Sequence, residues 1–248
     1  MEPAAEVSKR IDDVGQSLAQ ALGAGAVCIA VYGSAAGDDF SPGHSDVNLL
    51  IVLRDVTFAD LRLIGATLER EATDALIFAT PLVIAPSFLT DARDSFPIEL
   101  ADIAARHRVL QGDDLLASVR VSPAHIREEA EREARSKLLH LRALVMHRPP
   151  EAEMRHALAG LVSTISLLER ALLEKKAAGA ELRGAALFAE IQRLQGITLG
   201  SLNRLHAMRE ERESWPSGDA LDELVEGALR DVEALVAWVD THAHDSVG

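Results

Sequence analysis

The chain has 248 residues, 48% of them hydrophobic, 26% charged and 4% aromatic, with a formal net charge of −14. That length holds one large domain or two small ones around a real core, and the acidic balance argues against extended nucleic-acid binding, which needs clustered Lys and Arg. Scarce aromatics leave little stacking surface for single strands, no apolar stretch is long enough to span a bilayer, and the N-terminus is charged throughout rather than basic then apolar.

Taken in chain order, apolar residues recur at Val7, Ile11, Val14, Leu18 and Leu22, a helical spacing from about Ala5 that ends at Gly23 and Gly25. Val27 to Tyr32 reads as a short buried strand holding Cys28, the single cysteine, which excludes an internal disulfide and fits a cytoplasmic location. Gly33-Ser34 follows as a turn whose backbone can approach a ligand closely, because glycine carries no Cβ. The run from Asp46 to Leu53, DVNLLIVL, predicts a second strand that is apolar on both faces and therefore lies in a sheet covered on both sides. Asp46 and Asn48, two apart at its entry, share one face at a sheet end.

Ala59 to Glu71 repeats at helical intervals, and Ala75 to Ala85 reads as a third strand interrupted or edged by Pro81. Ile98 to Ala105 is expected as a helix and His107 to Leu110 as a short edge strand ending at Gly112. Everything from Ala124 onward is helix-like, with breaks at Arg148-Pro149-Pro150, near Gly179, at Gly196 and at Trp215 to Gly218. The last helix, about Asp219 to His242, carries an apolar stripe from Leu221 to Val239. The expected class is thus α+β, a small mixed sheet with helices in residues 1–118, followed by an all-α up-and-down helical bundle in residues 119–248.

The hydrophobic-Gly-Ser turn at Gly33-Ser34, a spacer and the strand entry Ser45-Asp46-Val47-Asn48 together resemble the opening motif of the nucleotidyltransferase superfamily. That superfamily includes DNA polymerase beta and the aminoglycoside nucleotidyltransferases. A second likeness covers nearly the whole chain. Bacterial nucleotidyltransferase-domain proteins combine a Ser-Asp-x-Asn strand with a Phe-Pro-x-Glu segment, here Phe96-Pro97-Ile98-Glu99, and an all-helical second half, here entered through the Arg127 to Leu141 helix.

The resemblance implies a nucleotidyltransferase fold that binds a nucleoside triphosphate, ATP first, between the two domains. It places phosphate contacts at Gly33, Ser34 and Ser45, and Mg²⁺ at Asp46 and Asn48. It further implies transfer of AMP to a small-molecule or protein hydroxyl, and points to Arg135 and Lys137 as triphosphate or substrate contacts from the helical half.

Two departures bear on turnover. The family's second acid is Asn48 here, and the predicted third strand, Ala75 to Ala85, has none of the usual third carboxylate. A unit charge pair about 4 Å apart at an effective dielectric near 20 is worth about 4 kcal/mol, so the first loss weakens metal occupancy substantially. Glu99, soon after the third strand, is the candidate to act as base in the missing position, with Asp102 as its alternate. Asp38 and Asp39 lie in the intervening loop, where solvated acids are the ordinary expectation, and His44 beside the strand entry is a further candidate for phosphate contact. The rival function is a catalytically degenerate module that binds nucleotide or protein. A third reading, a toxin–antitoxin component, rests on the loose Arg-x4-His spacing of Arg142 and His147, which chance alone supplies in so arginine-rich a chain.

Overall fold

Odd and even residues of one apolar strand go to opposite cores, and this organises the first half of the molecule. The computed structural model describes residues 4–37, 40, 46–74, 76–173, 189, 192–193, 196–209 and 212–242. The chain divides into two compact units, Met1–Val121 and Ser122–Gly248.

In the first unit, α1 (Ala4–Leu22) leads through a tight turn into β1 (Ala26–Tyr32), followed by β2 (Asp46–Leu53), α2 (Phe58–Glu71), β3 (Ile77–Phe78) and β4 (Leu82–Ile84). The short α3 (Phe88–Asp91), α4 (Pro97–Ala105) and β5 (His107–Gly112) complete it. The strands form a mixed sheet in the order β3-β2-β1-β5, with β4 also on β2. β1 runs antiparallel to β2 and β5, while β3 and β4 both run parallel to β2.

Val47, Leu49, Ile51 and Leu53 of β2 pack with Ile29 and Val31 of β1 against Val7, Ile11, Val14 and Leu18 of α1 and Ile64 and Leu68 of α2. Their neighbours Leu50 and Val52, with Cys28 and Ala30, face the other way onto Leu89, Leu100, Ile103, Leu116 and Val119. Burial of both faces is what a continuous apolar strand requires. The third strand appears in two pieces: Ala79 N–H donates to Val47 O at 3.1 Å, after which Pro81, lacking an N–H, interrupts the ladder between β3 and β4.

Local chemistry fixes the ends. Thr57 caps α2 reciprocally, with Asp60 N–H donating to Thr57 Oγ1 and Thr57 N–H donating to Asp60 Oδ2, both at 3.2 Å. Gly112 ends β5 at φ +84°, where a Cβ would stand 2.1 Å from Val27 O, so only glycine closes this edge against β1.

The second unit opens with α5 (Pro123–His147), capped by Ser122, whose Oγ accepts from Ala124 N–H at 3.2 Å. Arg148, at φ 45°, ends it before Pro149 and Pro150, and α6 (Glu151–Leu173) follows. Two more helices, α7 (Gly200–Arg209) and α8 (Asp219–His242), complete the described part; the expected break near Gly179 lies outside the described residues. α8 packs on α5 and α7 through a buried stripe that includes Leu221, Leu224, Val232, Leu235 and Val239, as its spacing predicted, with Ala228 buried where Leu229 was expected and Leu229 half-buried. Buried Asp231 of α8 accepts from the N–H groups of Ser201, at 2.7 Å, and Leu202, at 3.0 Å, closing the otherwise unsatisfied start of α7.

Candidate functional site

At the end of β1 the chain turns sharply, and the turn is built around Gly33. Its φ of +73° suits glycine, and its N–H donates to Arg106 O, 3.1 Å away, at the C-terminus of α4. Ser34 follows in the same 3-10 turn, Gly33–Ala36, where Gly37 N–H donates back to Ser34 O at 3.2 Å. A Cβ added at Gly33 would stand 3.4 Å from Asn48 Nδ2, so the Asn48 amide lies directly over the turn.

The sheet register explains that proximity. Tyr32, the last residue of β1 and the only tyrosine in the chain, sits opposite Asn48 on β2 and opposite His107 on β5. Cross-strand partners share a face, so His107, Tyr32 and Asn48 form a row, with Asp46 one step farther out on the same side of β2. Asp46 is exposed and Asn48 half-buried. By the alternation of β2 the two share the face of Leu50 and Val52, on which α3 and α4 pack.

Carboxylates reach this row from α4. Burial first, and then the charges of Asp102 and Glu99, push the Tyr32 phenol above its ordinary value of 10.0. Both acids therefore lie within electrostatic reach of the residue that pairs with Asn48. Glu99 is exposed, while Asp102 is half-buried and ion-paired with Arg106, the residue whose carbonyl receives the Gly33 N–H. β3 and β4 contribute no acid, and the carboxylates whose charge reaches Tyr32 come from α4.

His107 braces the edge of the row. Its Nδ1 lies 3.0 Å from Ala104 O, and its Nε2 lies 3.0 Å from Asp114 Oδ1. Burial alone would raise the Asp114 carboxyl, but the Ala117 N–H, the His107 ring and the Leu116 N–H outweigh it and hold it below its ordinary value. Neither Tyr32 nor His107 was singled out by the sequence pattern: the β1–β5 register brings them here, and local spacing does not encode that register.

Asp46 and Asn48 offer one carboxylate and one amide oxygen, both hard ligands suited to Mg²⁺. Among the described residues no three His, Cys, Asp or Glu side chains converge on a point, so the donor set fits a cation whose remaining ligands are phosphate oxygens and water, not a self-contained metal cage. Ser45, with Asp38, Asp39 and His44, lies outside the described residues.

The remaining sequence candidates stand in the helical unit. Arg135 donates to Glu131 Oε1 at 3.1 Å and to Asp240 Oδ1 at 2.7 Å, and Arg142 donates to Glu233 Oε1 at 2.8 Å. Lys137 instead lines a groove between α5 and α6 with His140 and His156. His147 is the last residue of α5. No helix among the described residues is long and apolar enough to cross a membrane.

No protein-family model matches the chain, and no curated protein matches it. Ten chains of solved structure match. Among them is spectinomycin adenyltransferase AAD(9) from Enterococcus faecialis, crystallised with ATP and spectinomycin. It is similar over 94% of this chain and 98% of its own, with a TM-score of 0.63 and 9% sequence identity. The likeness is one of fold: a small mixed sheet with helices, followed by helices alone.

Proposed function

We propose that this protein, built on the nucleotidyltransferase fold it shares with spectinomycin adenyltransferase AAD(9), binds a nucleoside triphosphate at the Gly33 turn and transfers its nucleotidyl group to a hydroxyl. The observation that carries the reading is the juxtaposition of Gly33 under the Asn48 amide, with Asp46 on the same face and the α4 carboxylates within electrostatic reach of Tyr32. A backbone turn without a Cβ admits phosphate oxygens closely, and Ser34 adds a hydroxyl and an N–H. ATP is the nucleotide assigned, by analogy with the neighbour crystallised with it.

Phosphoryl-type transfer asks the protein mainly to align the reactants and to stabilise charge. The acceptor oxygen attacks the α-phosphorus, its proton passes to the Glu99 carboxylate, and the bond from the α-phosphorus to the pyrophosphate oxygen breaks as pyrophosphate leaves. Glu99 suits the base role because it is exposed on the first turn of a helix pinned by Pro97 at its start. Asp102, already bound to Arg106, steadies the α4 end that holds Gly33. Mg²⁺ held by Asp46 and Asn48 would supply neutralisation of the triphosphate charge. Tyr32, kept protonated by its surroundings, presents a neutral O–H donor in the row. Arg135, committed to Glu131 and Asp240, has no part in this reading.

A second reading, a nucleotide-binding module without turnover, is favoured by one specific observation: Asn48 stands where the family carries an acid, and β3 and β4 have none. Transfer from α-labelled ATP to a panel of small hydroxyl acceptors and to proteins separates the two. The enzyme reading expects label transfer that falls about a hundredfold or more in Glu99→Gln. Label that moves only in Asn48→Asp would establish the degenerate module instead.

A further inference from the structure

Within the helical unit, α5 and α6 leave between them a groove of about 250 Å³. Lys137 and His140 line it from α5 and His156 from α6, over apolar walls that include Leu141 and Leu161. Gly160 keeps the α6 wall open, since a Cβ there would meet nothing within 4 Å.

Lys137 is the informative member. Glu133 stands four residues before it, the order and spacing that favour a helix ion pair, yet among the described residues Lys137 has no carboxylate partner. Its neighbours on α5 behave otherwise: Arg132 holds Glu129, Arg135 holds Glu131 and Asp240, and Arg142 holds Glu233. In a chain with 39 acidic and 25 basic residues, a lysine that no described acid pairs with, beside a groove, is a cation with three donors to offer. Each imidazole adds an N–H donor, so donors line the groove from both helices.

We propose that this groove binds a phosphate-type oxyanion, with Lys137 as its charge partner and His140 and His156 as further donors. The size of the groove falls just below the roughly 300–1,000 Å³ of sites that enclose drug-sized ligands, so it admits free phosphate or a small phosphate ester rather than a whole nucleoside triphosphate. Leu141 and Leu161 provide a surface for the apolar part of such an ester. Glu133 and Glu153, each about one turn before Lys137 and His156, oppose the anion, which places binding in the weak range. The proposal concerns the helical unit by itself and does not rest on the nucleotide reading.

The test follows the imidazole resonances of His140 and His156 by NMR in the full chain as inorganic phosphate is added, with chloride at matched ionic strength as the control. Saturable shifts of both rings are expected. Lys137→Met weakens phosphate roughly ten- to a hundredfold, the loss of one charge-assisted contact, with circular dichroism confirming an unchanged fold. Gly160→Leu alters no charge but fills the groove from the opposite wall, and it weakens binding as well. Asp46→Ala leaves phosphate affinity unchanged even if it abolishes nucleotide binding, which keeps failure of this site distinct from failure of the nucleotide reading. Tighter binding of phenyl phosphate than of inorganic phosphate would identify an ester as the ligand, and equal binding would identify free phosphate. Shifts no larger than with chloride, wild-type affinity in either groove variant, or loss of phosphate binding in Asp46→Ala would overturn the proposal.

Discussion

Tyr32 is the residue through which the candidate site can be read directly, because it is the only tyrosine and its phenol feels both α4 carboxylates. A spectrophotometric titration of tyrosinate therefore reports a single group. Its midpoint is expected above 10.0, with burial the larger cause; Glu99→Gln and Asp102→Asn should each bring it down by removing a nearby negative charge. A midpoint indifferent to both substitutions would mean that α4 does not present its acids to the row. Asn48 carries the second residue-scale expectation. Asn48→Asp places two carboxylates on one face two residues apart, which repel without a cation and cooperate with one. Metal-free stability should fall slightly, while affinity for Mg·ATP rises about tenfold or more; denaturant melts and calorimetry would read the two effects separately.

At the scale of elements, Asp231 shows how one buried acid organises two helices. Burial raises its carboxyl above 3.8 and outweighs the Leu202 and Ser201 N–H groups that lower it. A raised folded-state value means that its contribution to stability is fully present below the unfolded value and declines as pH rises through the folded one. Asp231→Asn keeps an acceptor oxygen for the two N–H groups and should flatten this part of the pH dependence. Asp231→Ala leaves both N–H groups without an acceptor and should cost about 1–3 kcal/mol, measured by chemical denaturation. A flat pH profile in the wild type would contradict the assignment.

Elements were also where sequence reading was most and least informative. The two-faced run of β2 and the Val7-Ile11-Val14-Leu18 spacing announced their burial, because each pattern is local and the core enforces it. Pro81 marked the break between β3 and β4 for the same reason. Glu99 could be proposed from its place after the third strand, but Tyr32 and His107 could not. Their importance depends on the pairing of β1 with β5, a contact between segments some 75 residues apart in sequence (from 32 to 107) that no short-range periodicity records.

For the whole molecule, the charge of −14 sets what kind of phosphate compound can approach. Long polyanions gain affinity by releasing counterions from many Lys and Arg contacts, which this surface is short of. Duplex DNA and RNA should therefore cause no mobility shift at low salt, whereas a nucleotide bound with its own Mg²⁺ carries less charge to repel. A strong salt-sensitive shift would contradict this and reveal a basic patch that the net charge conceals.

The central claim is that Asp46 and the Gly33 turn form a nucleotide site, and isothermal titration of ATP at millimolar Mg²⁺ into wild type and Asp46→Ala tests it most directly. Saturable heat in the wild type that is abolished or weakened at least about tenfold by the substitution is the expected result. No detectable binding to the wild type, or equal affinity in the two proteins, would contradict it.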